Sequence, residues 1–187
     1  MSETEMAKRS IGAELPQSVQ DRLREMIDDL SDITVVILPT EVRNGKVYYL
    51  PSDTEARKLA KKAGLNARYL YDGEDRSYLH EYSADWVANI CIAIVGGVST
   101  ELVAGLGKYI LARARSAVRK GHYDGDESEV PLKVTIQQAQ KSQDGDIAYS
   151  NLSFEGEAQA VADSIQEVLK KIQGRAPERE LEAGSDE

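Results

Sequence analysis

Residues 86–112 read WVANICIAIVGGVSTELVAGLGKYILA and contain only two charged side chains, Glu101 and Lys108. This is the most apolar stretch of a 187-residue chain whose formal net charge is −9. A helix that is apolar on nearly all sides is typical of one covered by the rest of its own protein or by a partner. We therefore predict a long apolar helix over residues 84–120, with Gly96-Gly97 as the place where it would break.

Small residues flatten one side of this predicted helix. Ala93, Gly97 and Gly105 recur at four- and eight-residue spacing, which would let another backbone approach closely. Glu101 and Lys108 are seven residues apart and so share nearly one helix face. These five residues are the predicted contact residues of the segment.

A resident membrane span is not expected from the same stretch. Its longest uncharged window, residues 86–100, has 15 residues, whereas crossing a bilayer takes about 20. Extending the window admits Glu101 and Lys108, each of which costs about 2.5–3.5 kcal/mol near the membrane centre. Membrane contact is therefore expected only as a triggered state, not as a constitutive one.

The composition excludes several classes of protein. An acidic body repels phosphate backbones, so nucleic-acid binding is not expected. A single cysteine, Cys91, cannot form an internal disulfide, and the first sixteen residues lack the apolar core of a signal peptide, which favours a cytoplasmic location. Two basic clusters are interpreted as solvated helix faces: Arg57, Lys58, Lys61 and Lys62, and Arg113, Arg115, Arg119 and Lys120.

Tyrosine dominates the aromatic residues, with nine Tyr against one Phe and one Trp. Tyrosine suits half-wet positions, because its hydroxyl still needs a partner when the ring is covered. The pattern predicts an amphipathic surface. A second hypothesis is a tyrosine-lined interface formed by Tyr69, Tyr71, Tyr78 and Tyr82.

Before the apolar stretch, the pattern predicts a helix after Pro16, a buried strand over residues 33–38 and a strand over residues 46–50. Asn44-Gly45 predicts a hairpin turn between these two strands. Ser52–Glu55 has the form of a capping box that starts a helix ending at Gly64. A third strand is predicted over residues 67–71.

After the apolar stretch, Leu132, Val134 and Ile136 alternate with polar residues, as in a half-buried strand. Asp144-Gly145 predicts a turn, and a change of parity in the following strand predicts a bulge near Ser150-Asn151. An apolar stripe over residues 158–172 predicts a final helix that ends at Gly174.

These elements predict an α+β class, with two small hairpin-plus-helix lobes around the apolar helix. The predicted organisation is a flexible N-terminus at 1–13, an α-β-β-α-β lobe at 14–83, the helix at 84–120, an acidic connector at 121–130, a β-β-α lobe at 131–174 and a disordered acidic tail at 175–187.

No motif predicts catalysis, and no cofactor or metal site is expected. Gly107-Lys108 resembles the end of a phosphate-binding loop, but Leu102 and Tyr109 stand where that loop needs Gly and Ser or Thr. The only two histidines, His80 and His122, flank the apolar stretch on opposite sides.

The sequence thus predicts a non-catalytic protein–protein interaction or assembly module that uses the apolar helix, with a homo-oligomer expected. Two alternatives stay open. One is a membrane-active effector, pore-forming or membrane-disrupting, that keeps the helix buried until triggered. The other is a small-molecule enzyme without a recognisable motif.

Overall fold

The computed structural model describes residues 8–10, 15–30, 32–79, 88–141 and 147–173. Helices and strands both contribute to the fold, which confirms the predicted α+β class. Several predictions fall outside the described residues: Tyr82, His80, the Asp144-Gly145 turn, the end of the last helix at Gly174, and the tail at 175–187.

Four α-helices lie in the described part of the chain: α1 Gln17–Asp28, α2 Ala56–Lys62, α3 Thr100–Arg119 and α4 Ala158–Gln173. The strands are β1 Lys8–Ser10, β2 Thr34–Ile37, β3 Glu41–Arg43, β4 Lys46–Tyr49, β5 Ala67–Tyr69, β6 Arg76–Tyr78, β7 Ala88–Val95, β8 Pro131–Lys141 and β9 Ile147–Glu157. A short 3-10 helix, Pro51–Glu55, precedes α2.

A six-stranded mixed sheet organises the fold, in the order β1-β9-β8-β7-β2-β5. The pairs β2–β5 and β7–β8 are parallel, and their connections contain α2 and α3, as parallel neighbours require. Strands β3, β4 and β6 form a separate small sheet. Strands from both predicted lobes therefore belong to one sheet, with β7 near its middle.

The prediction of one helix over residues 84–120 is wrong, because residues 88–95 form the strand β7. This strand pairs with β2 on one side and β8 on the other, and both of its faces are covered, so nearly all of its side chains are apolar. A short apolar run has the same composition in a buried strand and in a buried helix. Gly96-Gly97, the predicted break, is where the strand ends before α3.

Glycines in this segment serve contacts within the protein. Gly96 has a φ of +88°, and a Cβ there would lie 3.2 Å from Ile33 Cα. A Cβ on Gly105 would lie 2.6 Å from Leu65 Cδ2, next to the end of α2, and one on Gly107 would overlap Gln166 of α4. The small residues of α3 therefore let α2 and α4 pack closely.

Helices cover both faces of the sheet. Helix α1 packs on one face through Val19, Leu23 and Ile27, which confirms the stripe predicted after Pro16. Helices α2, α3 and α4 cover the other face, and α4 buries its predicted apolar stripe there. In the described residues, no helix combines the length and the apolar character needed to cross a membrane.

The predicted strands over residues 33–38, 67–71 and 132–136 are confirmed, but their neighbours differ. Asn44-Gly45 does form a hairpin turn, with φ angles of 51° and 74°. It joins β3 to β4, so the strand at 33–38 pairs with β7 and β5 instead. The predicted bulge near Ser150-Asn151 is absent, since the β8–β9 register runs unbroken through both residues.

Two further predictions need correction. Residues 8–10, placed in a flexible N-terminus, form β1 and pair with β9. The predicted capping box at Ser52–Glu55 does not form, because Asp53, not Glu55, reaches back and accepts the Leu50 N–H at 3.0 Å. Glu55 instead accepts a hydrogen bond from Ser116 of α3 at 3.3 Å.

A buried ion pair joins this 3-10 helix to α3. Arg113 donates to Asp53 Oδ1 at 2.9 Å, and both side chains are almost fully buried. Arg113 also donates to the Tyr109 hydroxyl at 3.0 Å and to Ser52 Oγ at 3.3 Å. Burial alone would lower the pKa of Arg113, but Tyr109 and Asp53 raise it above its ordinary value, so the guanidinium stays charged.

We predict that Arg113→Met lowers the free energy of unfolding by about 3–5 kcal/mol, because Asp53 is left as a buried, unpaired charge. Adding Asp53→Asn should restore much of this loss, since the amide carries no charge. The matched control is Arg115→Met, which removes an arginine paired with Glu127 at the surface and should have a small effect. Urea denaturation measures the free energy of unfolding of each variant. If Arg113→Met and Arg115→Met lower it equally, the Arg113–Asp53 pair does not have the stabilising role assigned to it.

We also predict that Cys91 reacts slowly in the native protein. Burial raises the pKa of the Cys91 thiol to about 11, so at pH 8 only about one molecule in a thousand carries the reactive thiolate. Alkylation by iodoacetamide, followed by mass spectrometry, should be roughly 100-fold slower than for a free cysteine and should reach the ordinary rate in urea. A native rate equal to that of free cysteine would show that the thiol is not protected.

Candidate functional site: a cavity lined by tyrosine and arginine

A cavity of about 450 Å³ lies beyond β5, the edge strand of the six-stranded sheet. Helix α1 contributes one part of its lining and α2 contributes Arg57. Residues 68–73, from β5 onward, and Arg76 of β6 complete the wall. We call this feature the tyrosine–arginine cavity.

Three arginines from three different elements meet at the tyrosine–arginine cavity. Arg57 is fixed by donating its Nε–H to the Ala67 carbonyl at 3.2 Å. The Arg76 guanidinium lies over the Tyr69 ring, 4.1 Å from its centroid, in a cation–π contact. Arg68 extends from the edge strand and is exposed. Within the described ranges, none of these three arginines forms an ion pair.

Tyr69 connects the arginine wall of the cavity (Arg57, Arg68 and Arg76) to the interior of the protein. Its hydroxyl donates to the Asp53 carbonyl at 2.5 Å, and its ring meets Tyr49 edge to face at a centroid distance of 5.7 Å. Asp53 is the residue that pairs with Arg113 of α3. Burial raises the pKa of Tyr69, so its phenol is neutral and acts as a fixed aromatic surface.

Helix α1 and the residue after Tyr71 bring negative charge to the same cavity. Glu25 is paired with Arg22 at 3.1 Å, whereas Asp29 and Asp72 also line the wall. The cavity therefore has cationic groups from α2, β5 and β6, and carboxylates from α1 and the connection after β5. A ligand that carries both signs of charge would match this lining better than a simple anion.

Two shallower depressions of about 550 Å³ each adjoin the tyrosine–arginine cavity. One shares Arg57 and Tyr69 with it and is also lined by the basic residues Lys58, Lys61 and Lys62 of α2. The other shares Arg22 and Tyr71. The basic cluster of α2, whose side chains are exposed, thus lies beside the cavity and shares lining residues with it.

The predicted contact residues are dispersed in the structure. Ala93 is fully buried in β7, Gly97 lies in the loop before α3, and Gly105 is buried against Leu65, so these three do not form one helix face. Glu101 and Lys108 are exposed on α3, as their shared face predicted. Tyr69 and Tyr71 line the cavity, and Tyr78 is 41% exposed on β6. The binding role of these residues remains a prediction.

Sequence reasoning missed Arg22, Arg68 and Arg76. They come from α1, β5 and β6, and no fixed spacing connects them to one another. The one usable signal was the arginine–tyrosine pair Arg68-Tyr69 in a short strand next to Tyr71. Its meaning depends on β5 being an edge strand, which follows from pairing and not from local pattern.

The lining of the tyrosine–arginine cavity is suited to binding. Guanidinium groups hold carboxylates or phosphates through paired N–H donors. They stay protonated near neutral pH, so they do not serve as general acids or bases. Among the residues that the structure describes, those that line the cavity include no histidine, cysteine or serine. In the ranges that the structure describes, no group of three or more side chains is arranged to hold a metal ion.

Comparison of the chain with protein-family models, with curated proteins and with solved structures found no match.

Proposed function

We propose that this protein is a non-catalytic interaction protein that binds an acidic group of a partner protein in the tyrosine–arginine cavity. The observation that carries the proposal is the convergence of Arg57, Arg68 and Arg76 on one cavity without an ion pair among the described residues. Charge-assisted hydrogen bonds to arginine are among the stronger polar contacts in proteins, and arginine and tyrosine are enriched in interfaces.

The apolar side chains of β7 and α3 are already buried within the chain, which favours the cavity as the binding surface. The apolar side chains of α3 face the sheet, α2 and α4, and its solvent-facing stripe is formed by Glu101, Ala104, Lys108 and Arg115. Tyr78 is the one large hydrophobic residue exposed in the described part of the chain. A partner would therefore meet polar groups on α3 and find the arginine and tyrosine groups at the cavity.

The membrane-active alternative gains no support from this arrangement. Releasing residues 88–95 would break the hydrogen-bonded ladders with β2 and with β8 at once. It would also expose the core on both faces of the sheet, because β7 contributes buried residues to each. Such a release is equivalent to unfolding the domain, which is a high cost for a triggered step.

The homo-oligomer stays a prediction, and light scattering after size-exclusion chromatography tests it. We expect a mass above the 20.6 kDa of one chain if a second copy supplies the acidic partner group. The mass should then fall to that of a monomer in Arg57→Gln/Arg68→Gln/Arg76→Gln. A mass of one chain at every concentration would remove self-association and leave a different protein as the partner.

We predict that Arg68→Gln weakens binding of a fluorescein-labelled decapeptide that combines glutamates with lysines by about 10-fold, because this lining matches a ligand with both signs of charge. The affinity is measured by fluorescence anisotropy in low salt. Combining it with Arg57→Gln and Arg76→Gln should abolish binding, because the one arginine left in the lining, Arg22, is already paired with Glu25. Raising the salt concentration should weaken binding to the native protein.

The matched control for this experiment is Lys108→Gln. It removes one positive charge from the exposed stripe of α3, a helix that contributes no residue to the lining of the cavity, and should leave the affinity unchanged. Binding that survives the triple arginine variant, or that is lost equally in Lys108→Gln, would contradict the proposal. Circular dichroism melts of each variant check that the fold is retained.

A further inference from the structure

We infer, on the basis of the proposed function, that the acidic group bound in the tyrosine–arginine cavity is a phosphorylated side chain of the partner protein. Arg57, Arg68 and Arg76 supply three guanidinium groups around one cavity. A carboxylate has one charge and two oxygens, which one bidentate arginine can satisfy. A phosphoryl group carries a charge of about −1.5 to −2 at neutral pH and three acceptor oxygens, so it can engage several arginines together.

The arginine wall is prepared for such a group before any ligand is present. Arg76 lies stacked on Tyr69, and its buried Nε–H has no hydrogen-bond partner among the described residues. Arg57 uses its Nε–H on the Ala67 carbonyl, which leaves its terminal N–H groups for a ligand. Arg76 makes no hydrogen bond within the described residues, so the terminal N–H groups of its guanidinium are also left for the acceptor oxygens of a ligand.

The acidic side of the cavity favours a phosphorylated segment that also carries a basic residue. Asp29 at the end of α1 and Asp72 after β5 line the same cavity as the arginines. A simple dianion would be repelled by these carboxylates, whereas a segment with lysine or arginine beside the phosphoryl group would pair with them. One adjoining depression shares Arg57 and Tyr69 with the cavity and the other shares Arg22 and Tyr71, so residues flanking the phosphoryl group of a peptide would find further surface to contact.

Fluorescence anisotropy with the full chain and one labelled peptide in several forms tests the inference. The peptide carries a central phosphoserine preceded by two arginines, and its matched forms carry glutamate or serine at the centre. We expect the phosphoserine form to bind at least 10-fold more tightly than the glutamate form, and the serine form not to bind. The preference should disappear in Arg57→Gln/Arg68→Gln/Arg76→Gln and persist in Lys108→Gln.

The acidic side of the cavity has its own test. Asp29→Asn/Asp72→Asn should remove the benefit of the two flanking arginines in the peptide, while the phosphoserine form remains tighter than the glutamate form. With the native protein, replacing the two peptide arginines by alanine should weaken binding to the same extent. If the double variant binds the arginine-flanked phosphopeptide as tightly as the native protein does, the role assigned to the two aspartates is wrong.

The remaining outcomes show whether the phosphoryl inference fails alone or together with the proposed function. Equal affinity for the glutamate and phosphoserine peptides would overturn the phosphoryl assignment and leave an acidic protein partner in place. Tighter binding of adenosine monophosphate, or of vesicles containing a phosphorylated inositol lipid, would overturn the protein source of the phosphoryl group. Failure of every peptide to bind would overturn both.

Discussion

The buried ion pair between Arg113 and Asp53 connects the interior of this protein to its surface cavity. Asp53 accepts hydrogen bonds from Arg113 and from the Leu50 N–H through its two carboxylate oxygens, and from the Tyr69 hydroxyl through its backbone carbonyl. Because the Tyr69 ring supports the Arg76 guanidinium, the shape of the cavity wall depends on a contact made by α3 in the core. A buried charge without its partner is costly, so the two side chains of this pair stabilise the fold only together.

The apolar segment acquires a different meaning from this architecture. Its first half is a central strand whose faces are both covered, and its second half is a helix packed between the sheet, α2 and α4. Its composition is thus explained by burial within one chain. The distinctive surface is instead the cavity, where basic residues of α2, β5 and β6 gather together with carboxylates in a chain with a net charge of −9. Such a surface selects a ligand whose charges complement both signs.

Local patterns in the sequence predicted the elements with clear periodicity, and failed where pairing decides the structure. Periodicity was sufficient to predict α1, α4 and the strand at 132–136, because each of these elements buries one face. The run at 88–95 was predicted as helix, since an element buried on every side has no periodicity to read. The cavity could not be predicted, because its arginines come from four elements, α1, α2, β5 and β6, which meet only after β5 has paired with β2.

We propose that the chain binds its partner through the tyrosine–arginine cavity and not through its apolar segment. Arginine Nε–Hε signals in a ¹⁵N NMR spectrum of the full chain, recorded with and without the phosphoserine peptide, test it directly. The chemical shifts of the Arg57, Arg68 and Arg76 signals should change on addition of peptide, while the chemical shift of Arg115 on α3 should not. Unchanged signals for the three cavity arginines, together with shifted backbone amides along α3, would contradict it.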